Sequence, residues 1–107
     1  MLMRIPSLVL AAAFTVTAST SFAENVRIAF IDPLSGPFAP VGQNLFNSFK
    51  TIAELSNQKQ WGGQNTVEIV GFDNKGSPQE SLIQLKAAID QGYRYITQGN
   101  GSGVALA

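Results

Sequence analysis

The chain has 107 residues, a formal charge of zero and 45% hydrophobic residues, enough for one small folded domain and no basic surface for nucleic acid. It holds no Cys and no His. Disulfides, thiolate metal sites, a Cys nucleophile, a lipid-modified Cys and the commonest general base are therefore excluded within these residues.

Met1 to Ala23 reads as a secretory signal peptide. Arg4 supplies the positive start, Ile5 to Ala18 is largely apolar and uncharged, and Ser21-Phe22-Ala23 places small residues before a cut. The apolar run is shorter than the about 20 residues a membrane span needs. The mature chain is expected to start near Glu24 and to occupy residues 24–107, outside the cytoplasm.

Val26 to Ile31 is a short apolar run with β-branched residues, the pattern of a buried strand. It ends at Asp32-Pro33, and a loop rich in Gly and Pro runs to Gly42. Pro40 to Lys59 reads as the first helix, with Leu45, Phe49, Ile52 and Ala53 on one face and Phe46 beside it. Trp61 is expected to pack over the helix end, and Gly62-Gly63 to stop the helix.

Val67 to Phe72 reads as the second strand and Asp73 to Pro78 as its loop. Ser77, Pro78 and Glu80 form a capping-box pattern that opens a second helix. Leu82, Leu85 and Ile89 share one face of it with Ala88 adjacent, and Gly92 ends it. Tyr93 to Thr97 reads as the third strand. Gln98 to Gly103 is a second Gly-rich loop, and a third helix begins after it; Ser102 stands where it can cap that helix. Because the sequence stops in that helix, the chain reads as a fragment of something longer.

Strands joined by helices of this length run parallel with right-handed crossovers, so the expected fold is α/β with a doubly wound parallel sheet. If the first strand lies between the second and third, the order is 2-1-3. The switch point then falls between the first and third strands, where ligands bind in this architecture. The loops Asp32–Gly42 and Gln98–Gly103 flank it.

Two constellations invite sharper readings. Gly99-Asn100-Gly101-Ser102-Gly103 approaches a dinucleotide fingerprint, but Val104 stands where Gly or Ala is required, and the motif follows the wrong strand. A loop of small residues running into a helix remains. It suits either a carboxylate or a plain turn capped by Ser102. Asp32 and Asp73 end neighbouring strands. They could hold a metal or serve acid–base chemistry, but as turn residues they are expected to bond their own loop backbone. No cofactor is expected, and nothing supports an enzyme.

Asp32-Pro33-Leu34-Ser35-Gly36-Pro37, with Ala39 and Gly42, resembles the opening of periplasmic solute-binding proteins of the branched-chain amino acid ABC transporter type. Asp73 with Pro78 opening a helix is similar to the second station of that family, and the loop after the third strand to the third. The likeness runs from Glu24 onward. It implies the first part of lobe one of a two-lobe type I periplasmic binding protein, closing on an amino acid-like ligand for delivery to a membrane ABC permease. The family also accepts amides, urea and aromatic acids. By this resemblance Ser35, Gly36, Phe38, Asn100, Gly101, Ser102 and Gly103 are the expected ligand-binding residues, with the ligand's α-carboxylate at the loop after the third strand. Relatives often carry an aromatic just before the glycine matched to Gly42; here Val41 stands there, with Phe38 nearby. An exported sensor lobe of the same fold and a non-functional truncated product are the alternatives.

Overall fold

The computed structural model describes Leu2, residues 18–19 and residues 22–107. The signal-peptide reading falls mostly outside them. Among the described residues, no helix is long and apolar enough to cross a membrane.

Six elements follow in strict alternation: β1 (Asn25–Asp32), α1 (Ala39–Lys59), β2 (Thr66–Asp73), α2 (Pro78–Asp90), β3 (Tyr95–Gln98) and α3 (Ser102–Ala105). The strands form one parallel sheet in the order β2-β1-β3. Asn25 pairs with Thr66 and Asp32 with Asp73, so β1 and β2 end level. β3 is shorter and pairs Ile28 with Tyr95 through Ile31 with Gln98. The 2-1-3 expectation therefore holds, and the switch point lies between β1 and β3.

Successive β1 side chains alternate between the two faces of the sheet. On one face Ala29 and Ile31 join Phe72, Ala88 and Tyr93 in the buried core, with Val70, Leu85 and Ala87 packed against them. On the other face Phe30 lies under α1, its ring 5.5 Å from Phe46 and 5.2 Å from Phe49. Parallel sheets need helices on both faces, and α1 and α2 supply one each.

Gly42 brings α1 close to the loop that leaves β1. A Cβ there would lie 1.7 Å from the carbonyl oxygen of Pro33. At the other end of the helix, the Asn57 side chain accepts from Val67 N at 2.8 Å and donates to Val67 O at 2.9 Å, tying α1 to β2. Ser77 caps α2 as expected, its Oγ accepting from Glu80 N at 3.3 Å, and Pro78 is the first helical residue. Glu80 does not complete the reciprocal box; its carboxylate accepts from Gln84 instead.

Several packing expectations are corrected. Trp61 is 64% exposed and does not close the end of α1, because the chain turns away through residues 60–64. On α1 the buried positions are Gly42 and Ala53, while Ile52 is 58% exposed. On α2 they are Ser81 and Ala88, with Leu82 and Ile89 exposed at the margins. Tyr93 precedes β3 rather than opening it; its buried ring packs edge-on against Phe72 at 5.3 Å, and its hydroxyl accepts from Arg27.

Candidate functional site

Three loops leave the C-terminal ends of the strands together: residues 33–38, 74–77 and 99–101. Asp32 organises the first and third. It is fully buried at the last position of β1. Its Oδ1 accepts from Asn100 N at 2.8 Å and Gly99 N at 3.3 Å, and its Oδ2 from Asn100 Nδ2 at 2.6 Å. The expectation that Asp32 bonds its own loop is therefore overturned: its partners lie on the loop after β3, across the switch point.

Asp73 does the same for the first and second loops. Its Oδ1 accepts from Leu34 N and from Lys75 N, each at 2.9 Å. Its Oδ2 accepts from Ser35 Oγ at 2.5 Å. The Lys75 bond is the local turn contact expected of an Asp after a strand; the other two cross to the β1 loop. Burial alone would raise the Asp73 carboxyl pKa. The hydrogen bonds from Ser35 Oγ and from the backbone of Leu34, Lys75 and Ser35 outweigh it and hold the group below its ordinary value. Both strand-end carboxylates thus fasten loops, and among the described residues no group of three acidic, His or Cys side chains could hold a metal ion.

Between the fastened loops lies a cleft of about 260 Å³, lined by Pro33, Phe38, Gly76, Asn100, Gly101 and Val104. It brings together Phe38, Asn100 and Gly101 of the expected site residues. Ser35 is turned to Asp73 instead. Gly36 has φ +75°, and its carbonyl accepts from Ala39 N to shape the entry into α1. Ser102 and Gly103 are exposed on the first turn after the cleft. Ser102 is not the helix cap; Gly101 occupies that position with φ 86°, and α3 makes no side-chain cap bond. The first amides of α3 have no preceding helical carbonyl to bond.

Pro33, Gly76 and Val104 also line the cleft and were missed by sequence reasoning. Gly76, at φ +74°, could have been found: Asn74-Lys75-Gly76 is a turn signal directly after a strand of the sheet. Nothing local marks Pro33 or Val104 as lining residues.

A parallel sheet in the order β2-β1-β3 with a cleft at its switch point is the doubly wound α/β architecture in which ligands bind outside the carboxyl ends of the strands. The match to the family model described as "Periplasmic binding protein" covers residues 25–107, and the chain belongs to that family. A Leu/Ile/Val-binding protein homolog from Brucella abortus is 36% identical over 90 residues, covering 82% of this chain and 21% of the relative. The chain thus spans about a fifth of the length of that curated relative. Among solved structures, the leucine-, isoleucine-, valine-, threonine- and alanine-binding protein of Brucella ovis, in its closed conformation, is 35% identical. Its TM-score is 0.61 over 78% of this chain and 22% of that one. An ABC transporter solute-binding protein from R. palustris in complex with 4-hydroxybenzoate is 28% identical. Its TM-score is 0.62 over 77% and 22%. This family is one of solute-binding proteins rather than enzymes.

Proposed function

We propose that this chain is the opening part of lobe one of a periplasmic receptor that binds a branched-chain amino acid or a similar small solute and delivers it to an ABC permease. One observation carries the reading. The loops after β1 and β3 are locked together by Asp32 at the switch point, which leaves a preformed cleft rather than two loose loops. The family membership and the branched-chain amino acids bound by the relatives agree with it. A second lobe would close over the cleft by a hinge motion and exclude water from the ligand.

In this reading the ligand's carboxylate lies at Asn100–Gly103. The free amides of Ser102 and Gly103 and the Ser102 hydroxyl are the donors. α3 is only four residues long, so discrete N–H groups rather than a helix dipole provide the attraction. Residues 1–23 direct export and are removed. Calorimetric titration of the whole receptor with leucine, other amino acids, amides and aromatic acids tests the function. Binding of none of them would overturn it.

A further inference from the structure

The loop after β3 is gripped from both faces of the sheet. Gln98, the last residue of β3, pairs with Ile31, whose side chain lies in the core with Ala88 of α2. Asp32, the next residue along β1, projects to the opposite face. Asp32 takes the amides of Gly99 and Asn100. From the other face, Gln98 Nε2 donates to the carbonyl oxygen of Asn100 and, at 3.2 Å, to that of Gly101. An amide nitrogen carries two hydrogens, so one side chain can hold both carbonyls.

The two carbonyls differ in what else holds them. Gly101 O also accepts from Val104 N and Ala105 N, each at 3.1 Å. Among the described residues, Gln98 is the one partner of Asn100 O. A peptide that precedes a glycine turns over easily, because glycine tolerates both signs of φ, and Gly101 stands at φ 86°. Gln98 therefore sets which way the Asn100–Gly101 peptide faces. In a planar trans peptide the C=O and N–H point in opposite directions. With Asn100 O turned to Gln98, the Gly101 N–H faces the other way. Asn100 and Gly101 both line the cleft, whereas Gln98 lies outside it, in a separate space of about 190 Å³ beside Leu85 and Ala105. The donor is thus on the cleft side and the acceptor is not.

We propose that Gln98 is a positioning residue for anion recognition: it locks the Asn100–Gly101 peptide with its N–H, rather than its carbonyl oxygen, toward a ligand carboxylate. The inference rests on the receptor reading above and adds Gly101 N–H to the donors named there. A carbonyl oxygen turned into the cleft would repel a carboxylate, while an N–H attracts it, so the direction of one peptide decides the sign of the contact.

The test is calorimetric titration of the whole receptor with leucine, or with 4-hydroxybenzoate where leucine does not bind, for the wild type, Gln98→Met and Gln98→Glu. Gln98→Met keeps the length of the side chain and fills the same space without a donor. It should melt close to the wild type and bind the carboxylate about tenfold or more weakly. Gln98→Glu keeps size and polarity, and its affinity should depend on pH. The ionised form offers only acceptors to the Asn100 carbonyl, whereas the protonated form supplies one donor. Affinity lost at about pH 7 should partly return at about pH 5, since facing a carbonyl favours the protonated carboxyl. Asp32 holds the other face of the loop in wild type and variant alike, and the wild type should show no such gain. Wild-type affinity in Gln98→Met would reduce Gln98 to packing and overturn the inference. Should that variant fail to fold, Gln98→Glu decides: wild-type affinity at neutral pH, or a loss that does not ease with falling pH, overturns it. Binding of neither carboxylate by the wild type also overturns it, and the wider panel of amino acids, amides and aromatic acids then decides the receptor reading separately.

Discussion

Asp32 and Asn100 are joined twice, backbone amide to Oδ1 at 2.8 Å and side-chain amide to Oδ2 at 2.6 Å. A residue at the end of the central strand thereby sets the shape of a loop that starts after the last strand. Asp32 is fully buried and the bonds themselves are part-buried, so water replaces a lost partner only incompletely. Asp32→Ala should lower stability by about 2–3 kcal/mol, since hydrogen bonds to charged groups are the stronger ones and Asn100 would be left unsatisfied. Urea denaturation measures it. A midpoint shift no larger than that of an exposed Asp→Ala control, such as Asp90→Ala, would show that the loop holds itself.

Asp73 predicts an acid limb. Its carboxyl is held below its ordinary value in the folded chain. The ionised form is thus favoured by folding, and its stabilising share is fully present above about pH 5. That share is lost as the pH falls through about 4 toward the lowered folded value. Removing the Ser35 hydroxyl in Ser35→Ala should raise the Asp73 pKa and move the loss of stability to higher pH. NMR titration of the Asp73 carboxyl carbon reads this directly. An unchanged titration curve would remove Ser35 as a cause.

Gly42 packs against the backbone of the loop that leaves β1, with a notional Cβ 1.7 Å from Pro33 O. That neighbour is backbone and cannot swing away. Gly42→Ala must lift the start of the helix, and overpacking of this kind costs about 1–3 kcal/mol or more despite the better helix propensity of Ala. The denaturation midpoint should fall. A rise, as expected for Gly→Ala on an open helix surface, would contradict the close approach.

Ser77 caps α2 through its bond to Glu80 N. Ser77→Ala should cost about 1 kcal/mol, and Ser77→Asp should cost little. Because Ser77 does not line the cleft, the proposed receptor should keep its ligand affinity in both variants. Parallel melting curves and titrations check the separation of stability from binding.

The order and type of all the longer elements were legible, because apolar runs of period one and helical spacing are local properties of the chain. The fold class followed from the alternation of strand and helix alone. What was not legible depends on distance along the chain. The partners of Asp32 lie 67 and 68 residues away, so a local rule assigned it to its own turn. Ile52 on α1 and Leu82 and Ile89 on α2 carry a helical apolar pattern, but these two helices do not bury them. Periodicity shows which side chains avoid water, not which elements arrive to cover them. Ser102 was a reasonable cap by residue type, but Gly101 took the position one residue earlier because a positive φ was needed there.

The central position of β1 has a consequence for the order in which contacts form. β1 is the first strand in the chain, yet it pairs with both of the others. Its pairing with β2 begins by closing Asn25 onto Thr66, while Asp32 meets Asn100 only after a loop 68 residues long has closed. Closing the longer loop costs more entropy, and long-range pairing slows folding. The cleft is thus expected to form after the rate-limiting barrier, with the β1–β2 pair formed before it. Substitutions at Asp32 would then hasten unfolding while leaving the refolding rate nearly untouched. The cleft at the switch point would be the last feature of this sheet to assemble and the first to open.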